Sequence, residues 1–329
     1  MALVPTMGAL HEGHLSLIQQ ARRHAANVVV SIFVNPTQFG PDEDYERYPR
    51  TLKSDMEQCR QENVSLVFAP DFSEMYGEDG KSREQYLSFR IKKMNAHLCG
   101  SRRPGHFEGV LQVVNKLFHI VQPDVAVFGQ KDIQQWFIIR QMVNEMDIPV
   151  ELVMGPTRRE HDGLARSSRN AYLSMEERNA APLLYDALHR VRRKLGETCR
   201  EFDEEMRFVR EEKKCDQKEN RFDQEENRFD REEKKCDETG RKPDNAYRPD
   251  MEPDIVTVDP AIISEEVDRL GENGFIIEYF SLVSTPDLQP SDVIEPGRSY
   301  VIAAAARLGK TRLIDNVLFS HKDLFSHDA

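Results

Sequence analysis

The sequence predicts an α/β protein: a doubly wound parallel sheet followed by a smaller α+β domain. Two observations predict it. Short apolar, β-branched runs recur at Val28–Val34, Ser65–Ala69 and Asp124–Phe128, each ending in a loop. Between them lie longer stretches with helical spacing. Leu15, Ile18, Ala21 and Ala25 mark a helix over 15–27, and GVLQVVNKLFHIV marks another over 109–121. Fully apolar strands alternating with amphipathic helices imply parallel strands with helices on both faces, a Rossmann-like arrangement. Ligands in such sheets bind at the carboxyl ends of the strands.

At 329 residues the chain divides into two domains. The pattern changes near Met154-Gly155-Pro156-Thr157, so the first domain is placed at 1–157 and the second at 158–329. The second begins with a helical stretch over Met175–Leu195 and ends in a short α+β unit, with apolar runs at Gly274–Val283 and Tyr300–Ala306. Between these lies a charged insertion at about 197–254. Its centre, 210–237, is four heptads: REEKKCD, QKENRFD, QEENRFD, REEKKCD. Only the sixth position of each is apolar (Cys215, Phe222, Phe229, Cys236), and a coiled-coil seam needs two. Pairs such as Arg221/Glu225 sit four apart and support an exposed helix by ~0.3 kcal/mol each. A solvated, partly helical or unstructured insertion and a partner-binding helix are both open.

Charged residues make up 31% of the chain and hydrophobic ones 39%, with a formal charge of −12. That balance argues against nucleic acid as a partner, yet leaves room for a small anion in a local basic pocket. No apolar run approaches the ~18 residues of a membrane helix, and no secretory signal opens the chain. Five scattered cysteines without a CxxC pair suit reduced thiols, so the cytoplasm is the expected compartment.

The chemistry concentrates in PTMGALHEGHLSLI. A strand (Ala2–Val4), a glycine turn and a helix starting near Gly13 make a site for phosphate, where free N–H groups and the helix dipole face the anion. His11 and His14 sit on that turn and could donate to phosphate oxygens. Zinc is a weaker alternative, because an H-E-x-x-H zinc helix spaces its histidines four apart and these are three apart. A purely structural role for both is a third.

His11-Glu12-Gly13-His14 in this setting resembles the H-x-G-H signature of the nucleotidyltransferase and class I aminoacyl-tRNA synthetase superfamily. VVSIFVNPTQFGPDEDYERYPRT, RRPGHFEGV, FGQKDIQQ, DGLARSSRNAYLS and GKTRLIDN follow in order. Together they resemble the pantothenate synthetase (pantoate–β-alanine ligase) family over about 1–196 and 273–318. The resemblance implies an ATP-dependent ligase. Pantoate's carboxylate attacks the α-phosphate of ATP, giving pantoyl adenylate and pyrophosphate; β-alanine's amine then displaces AMP to give pantothenate. It implies Mg²⁺ carried on the triphosphate, a homodimer, and a helical segment before the first strand, where this chain begins.

Site residues follow by resemblance. Met7, Gly8, Ala9, Leu10, His11, Glu12, Gly13 and His14 form the ATP-binding turn, with His14 as proton donor and His11 against the phosphates. Lys131 reaches a phosphate, while Gly129 and Asp132 hold the ribose. Ser167, Ser168 and Arg169 clasp the β- and γ-phosphates from the second domain. His11, His14, Lys131 and Arg169 are thus the catalytic set. Gln38 and Gln135 bind pantoate, with Asn35 and Arg103 beside them. Asp55 falls where the family has an acid near Mg²⁺, although an acid early in a helix is equally a dipole partner. His106 is expected to be structural, and His24, His119 and His161 carry no functional signal. Gln130, Arg158 and Arg166 depart from the family's usual residues, and the two arginines border the nucleotide. Two alternatives remain: another nucleotidyltransferase of the superfamily, or a non-catalytic scaffold working through the insertion.

Overall fold

The computed structural model describes residues 1–41, 43–77, 87–232 and 255–325, and the side chains of all of these except 208–232. The first part contains β1 (Ala2–Thr6), α1 (Glu12–His24), β2 (Val28–Ile32), α2 (Leu52–Gln61), β3 (Leu66–Phe68), α3 (Phe72–Tyr76), α4 (Leu98–Arg102), α5 (His106–Val121), β4 (Val125–Gly129), α6 (Ile133–Glu145) and β5 (Glu151–Gly155). Then come α7 (Met175–Ala180), α8 (Leu183–Glu232), β6 (Val256–Thr257), α9 (Ala261–Glu272), β7 (Phe275–Ser284), β8 (Val293–Ile294), β9 (Ser299–Leu308) and β10 (Thr311–Ser320).

β1 to β5 form one parallel sheet in the order β3-β2-β1-β4-β5. The period of two along a strand divides its side chains between two cores. Leu3, Val29, Ala126 and Phe128 pack with α5 and α6 on one face. Ala2, Val4, Val30 and Val127 pack with Leu17, Ile18 and Ala21 of α1 on the other. The expected doubly wound sheet is therefore present. α5 buries Phe107, Val110, Leu111, Val114, Leu117 and Phe118, and full burial of each such side chain contributes roughly 1.5–3 kcal/mol.

The C-terminal part is an antiparallel sheet, β10-β9-β7, covered by α8 and α9 around a core that includes Leu188, Leu195, Leu270 and Ile302. Val283, Leu288, Val301 and Ala303 join the α5–α6 core instead, so the two parts share apolar contacts.

Two expectations are corrected or bounded, and one strand had no apolar pattern to predict it. The single helix expected over Met175–Leu195 is two: α7 ends at Ala180 and α8 starts at Leu183. Pro182 stands between them; it lacks an N–H and its ring clashes with the preceding turn, so it cannot continue α7. β10 escaped the hydrophobic pattern because Asp315 and Asn316, both buried, interrupt its apolar run. The heptad segment is helical in its backbone as far as Glu232. Its side chains, and residues 233–254, lie outside the described residues, and with them the apolar column and the charge pairs. Cys59, Cys99 and Cys199 are free and buried.

Candidate active site

The chain leaves β1 at Thr6 and turns through two residues of positive φ, Gly8 (+78°) and Ala9 (+49°), before α1 begins. What holds this turn is Asp55, on α2 and 1% exposed. Its Oδ2 accepts from Ala9 N at 3.0 Å and its Oδ1 from Leu10 N at 2.9 Å. Thr51 Oγ1 reaches both oxygens, at 3.1 and 3.2 Å. A β-carbon at Gly8 would stand 3.0 Å from Asp55 Oδ2, so glycine suits the φ here and leaves room for the carboxylate. The two backbone N–H groups and the single Thr51 hydroxyl proton, shared between the oxygens, fill three of the carboxylate's about four lone-pair sites. Asp55, buried, thus faces the turn rather than the cleft that the histidines line. Among the described residues no cluster of three or more His, Cys, Asp or Glu could hold a metal.

The two histidines cap α1 reciprocally. His11 is the N-cap and its Nδ1 accepts from Gly13 N at 3.1 Å; His11 N donates to Nδ1 of His14 at 3.4 Å. This is the geometry of a capping box, with imidazoles in place of the usual hydroxyl and carboxylate. The spacing of three is what that geometry needs, because it joins the N-cap to the third helical residue. Since each Nδ1 accepts a backbone proton, each neutral ring carries its own proton on Nε2. Burial pushes His11 down to about 4, helped by Lys131 and Arg166. Burial pushes His14 to about 3, helped by His11 and Lys131. The ring centroids are 4.1 Å apart, where two imidazolium charges would repel. The turn therefore presents two neutral N–H donors at a helix N-terminus.

These rings line a cleft of about 220 Å³ at the carboxyl ends of β1 and β4. Met7, Gly13, Gly129, Lys131, Asp132 and Gln135 line it from the first part of the chain. Arg158, Arg166, Ser167, Ser168 and Arg169 line it from the segment after β5. Thr157 Oγ1 and Arg166 Nε are buried there without a protein partner among the described residues. Ala9 and Leu10 border a neighbouring hollow together with Asp55. Glu12 pairs with Arg166 at 2.9 Å, which explains what this unexpected arginine does here: it ties the segment after β5 to the start of α1. Gln130 turns away and donates to Asn316.

Gln38 sits in the turn after β2. Its Oε1 accepts from Asn35 Nδ2 at 3.1 Å, and its Nε2 lies 3.2 Å from Met7 Sδ. Asn35 is 1% exposed and its oxygen accepts from Tyr76 and Thr37, so it orients Gln38 from behind. The turn presses on α5 at Gly109, where a β-carbon would fall 2.3 Å from Thr37 O. His106 holds the same turn: Nδ1 donates to Gln38 O at 2.7 Å and Nε2 accepts from Arg103 at 2.9 Å. Burial and Arg103 lower its pKa to about 3, so it stays neutral.

Two of the arginines that line the cleft, Arg103 and Arg169, are occupied by one loop. Arg103 makes a two-point pair with Glu43 at 2.6 Å in each contact. Arg169 does the same with Asp44. Tyr48, whose hydroxyl is 3.4 Å from Ser168 Oγ, closes that side. Sequence reasoning missed Glu43, Asp44 and Tyr48; acids in a polar loop carry no periodic signal.

A family model described as pantoate-beta-alanine ligase matches residues 1–318. The chain is 40% identical to the pantothenate synthetase of Stutzerimonas stutzeri over 318 residues, 97% of this chain and 90% of that one. Against the pantothenate synthetase of Thermobifida fusca it is 58% identical over 189 residues, 57% of this chain and 64% of that relative. Among solved structures, the pantothenate synthetase of Thermus thermophilus superposes with a TM-score of 0.70 at 36% identity, covering 96% of this chain and 92% of that one. The pantoate-beta-alanine ligase of Francisella tularensis, solved with a β,γ-ATP compound and β-alanine, gives 0.65 at 28% identity, covering 96% and 88%.

Proposed function

The chain belongs to the pantoate–β-alanine ligase family, and we propose that its cleft joins pantoate to β-alanine with ATP through a pantoyl adenylate. The carrying observation is convergence: the H-x-G-H turn, Lys131 and the Ser167–Arg169 segment face one cleft. In the first step a carboxylate oxygen of pantoate attacks the α-phosphorus, and the bond to pyrophosphate breaks. Negative charge grows on the phosphate oxygens. The Nε2–H groups of His11 and His14, the Lys131 ammonium and the α1 N-terminus stabilise it, and all are fixed before the reaction begins. Arg169, Ser167 and Ser168 hold the β- and γ-phosphates, and Gly129 and Asp132 the ribose. Gln38 and Gln135 orient pantoate by amide hydrogen bonds, supported by Asn35 and Arg103. That orientation supplies the in-line approach. In the second step the neutral amine of β-alanine attacks the acyl carbon, the acyl–phosphate bond breaks, AMP leaves, and the nitrogen releases one proton to water as the amide forms.

Mg²⁺ would supply charge neutralisation on the triphosphate oxygens. Asp55 does not fit as its ligand in this arrangement, because its oxygens are committed to Ala9, Leu10 and Thr51. The homodimer implied by the family belongs to the same proposal, with sedimentation as its test. Among the described residues no helix is long and apolar enough to cross a membrane.

The test is to incubate the chain with ATP, Mg²⁺, D-pantoate and β-alanine and to follow AMP and pantothenate together. Equal amounts of both, dependent on both co-substrates and lost in His14→Ala, are expected. A dinucleotide product would shift the assignment to another nucleotidyltransferase. ATP binding with no product would favour the scaffold.

A further inference from the structure

The segment GKTRLIDN, 309–316, supplies none of the groups in the scheme above. Its last two residues are nonetheless among the few buried polar ones, Asp315 at 4% and Asn316 at 1% exposure. Successive residues of a strand point to opposite faces, and these two hold different segments: Asn316 the turn after β4, Asp315 the hairpin after β5. Asn316 Nδ2 donates to the carbonyls of Gln130 at 3.0 Å and Lys131 at 2.9 Å, and its Oδ1 accepts from Gln130 Nε2 at 3.4 Å. Those carbonyls belong to the turn that carries Lys131 and Asp132. Asp315 holds Arg159 at two points, 2.5 and 2.9 Å.

Arg159 is the base of the hairpin that delivers Ser167–Arg169. It pairs with Ala165 across that hairpin, donates to Gly163 O at 3.0 Å, and stacks 3.7 Å from the centroid of Tyr185. The hairpin closes further through Glu160 N to Leu164 O and Arg166 N to Arg158 O.

We propose that the Asp315–Asn316 pair is a positioning unit for ATP: one β10 dipeptide sets both Lys131 and the Ser167–Arg169 segment at a fixed separation. The residue types fit. An amide nitrogen carries two protons and serves two adjacent carbonyls at once. A carboxylate matches the guanidinium fork of Arg159. Neither residue lines the cleft, so both act through other residues. The inference rests on the ligase proposal only in assigning ATP phosphates to Lys131 and Arg169.

The experiment is a pair of double-mutant cycles on the full chain, read as the Kd for ATP by calorimetry. Asn316→Ala is combined with Lys131→Ala, and Asp315→Asn with Arg169→Ala. Loss of the three Asn316 side-chain hydrogen bonds that hold the Lys131 turn predicts about tenfold weaker ATP binding in Asn316→Ala. If the pair acts through Lys131 and Arg169, each double variant binds ATP within about twofold of the corresponding Lys131 or Arg169 single variant, because coupled residues are not additive. Multiplicative losses, or an unchanged Kd in Asn316→Ala and Asp315→Asn, overturn the proposal. Should Asn316→Ala fail to fold, as judged by its melting curve, Asn316→Ser takes its place. The wild-type ligase assay separates the two ideas. Coupled cycles without product sink the ligase reading alone, whereas product with multiplicative losses sinks the positioning unit alone.

Discussion

Arg169 and Asp44 form a two-point ion pair across the mouth of the cleft, Nε to Oδ2 at 2.9 Å and Nη2 to Oδ1 at 2.7 Å. Burial raises the carboxyl's pKa, but the Arg169 hydrogen bonds and charge outweigh it and hold Asp44 below its ordinary range. The guanidinium assigned to the ATP phosphates is therefore engaged by an internal anion of similar geometry. A phosphate bound there would compete with Asp44 for this charge. Asp44→Asn removes the competing charge and keeps the shape, so the KM for ATP is expected to fall by about three- to tenfold, the range for a partly exposed charge-assisted pair. Initial rates against ATP concentration check this. A raised KM would mean that Asp44 orients Arg169 rather than competing for it.

The imidazole capping box makes stability depend on pH. His11 and His14 sit at about 4 and 3 in the folded chain, against 6.5 unfolded. Their pKa values are lowered by folding, so the unfolded chain binds more protons between those limits. Their contribution to stability is present above pH 6.5 and is lost as pH falls through about 4 and 3. Replacing His14 by Gln keeps a hydrogen-bonding amide at that position and removes one titration. Its urea midpoint is expected to change less between pH 7 and 4.5 than that of the parent chain. Equal pH dependence in the two proteins would contradict the shift.

Asp55 tests the turn against the metal. In Asp55→Asn one carboxylate oxygen becomes an NH₂ facing backbone N–H groups, a cost of about 1–3 kcal/mol. Loss of the Ala9 conformation should raise the KM for ATP and lower the melting temperature, with the Mg²⁺ concentration for half-maximal rate unchanged. Titration of ATP and Mg²⁺ separately distinguishes the roles. A large shift in the Mg²⁺ requirement with stability intact would restore Asp55 as a metal ligand.

The parallel sheet was legible in the string of residues, because short strands and their helices leave a pattern that depends only on period and burial. Val28, Val29 and Val30 could be assigned to a central strand without knowing their neighbours. The H-x-G-H turn was equally legible, since a strand, a glycine and a helix start lie within a dozen residues. What holds the site in place emerged only from the packed chain. Asp55 reaches back 46 residues to Ala9, Asp44 crosses 125 to Arg169, and Asn316 spans 185 to Lys131. A hydrogen bond between such distant residues requires no periodicity on either side, and a buried polar residue looks like an exposed one in a string of letters. Local pattern specifies elements, whereas the partners of buried polar groups are chosen only when those elements pack.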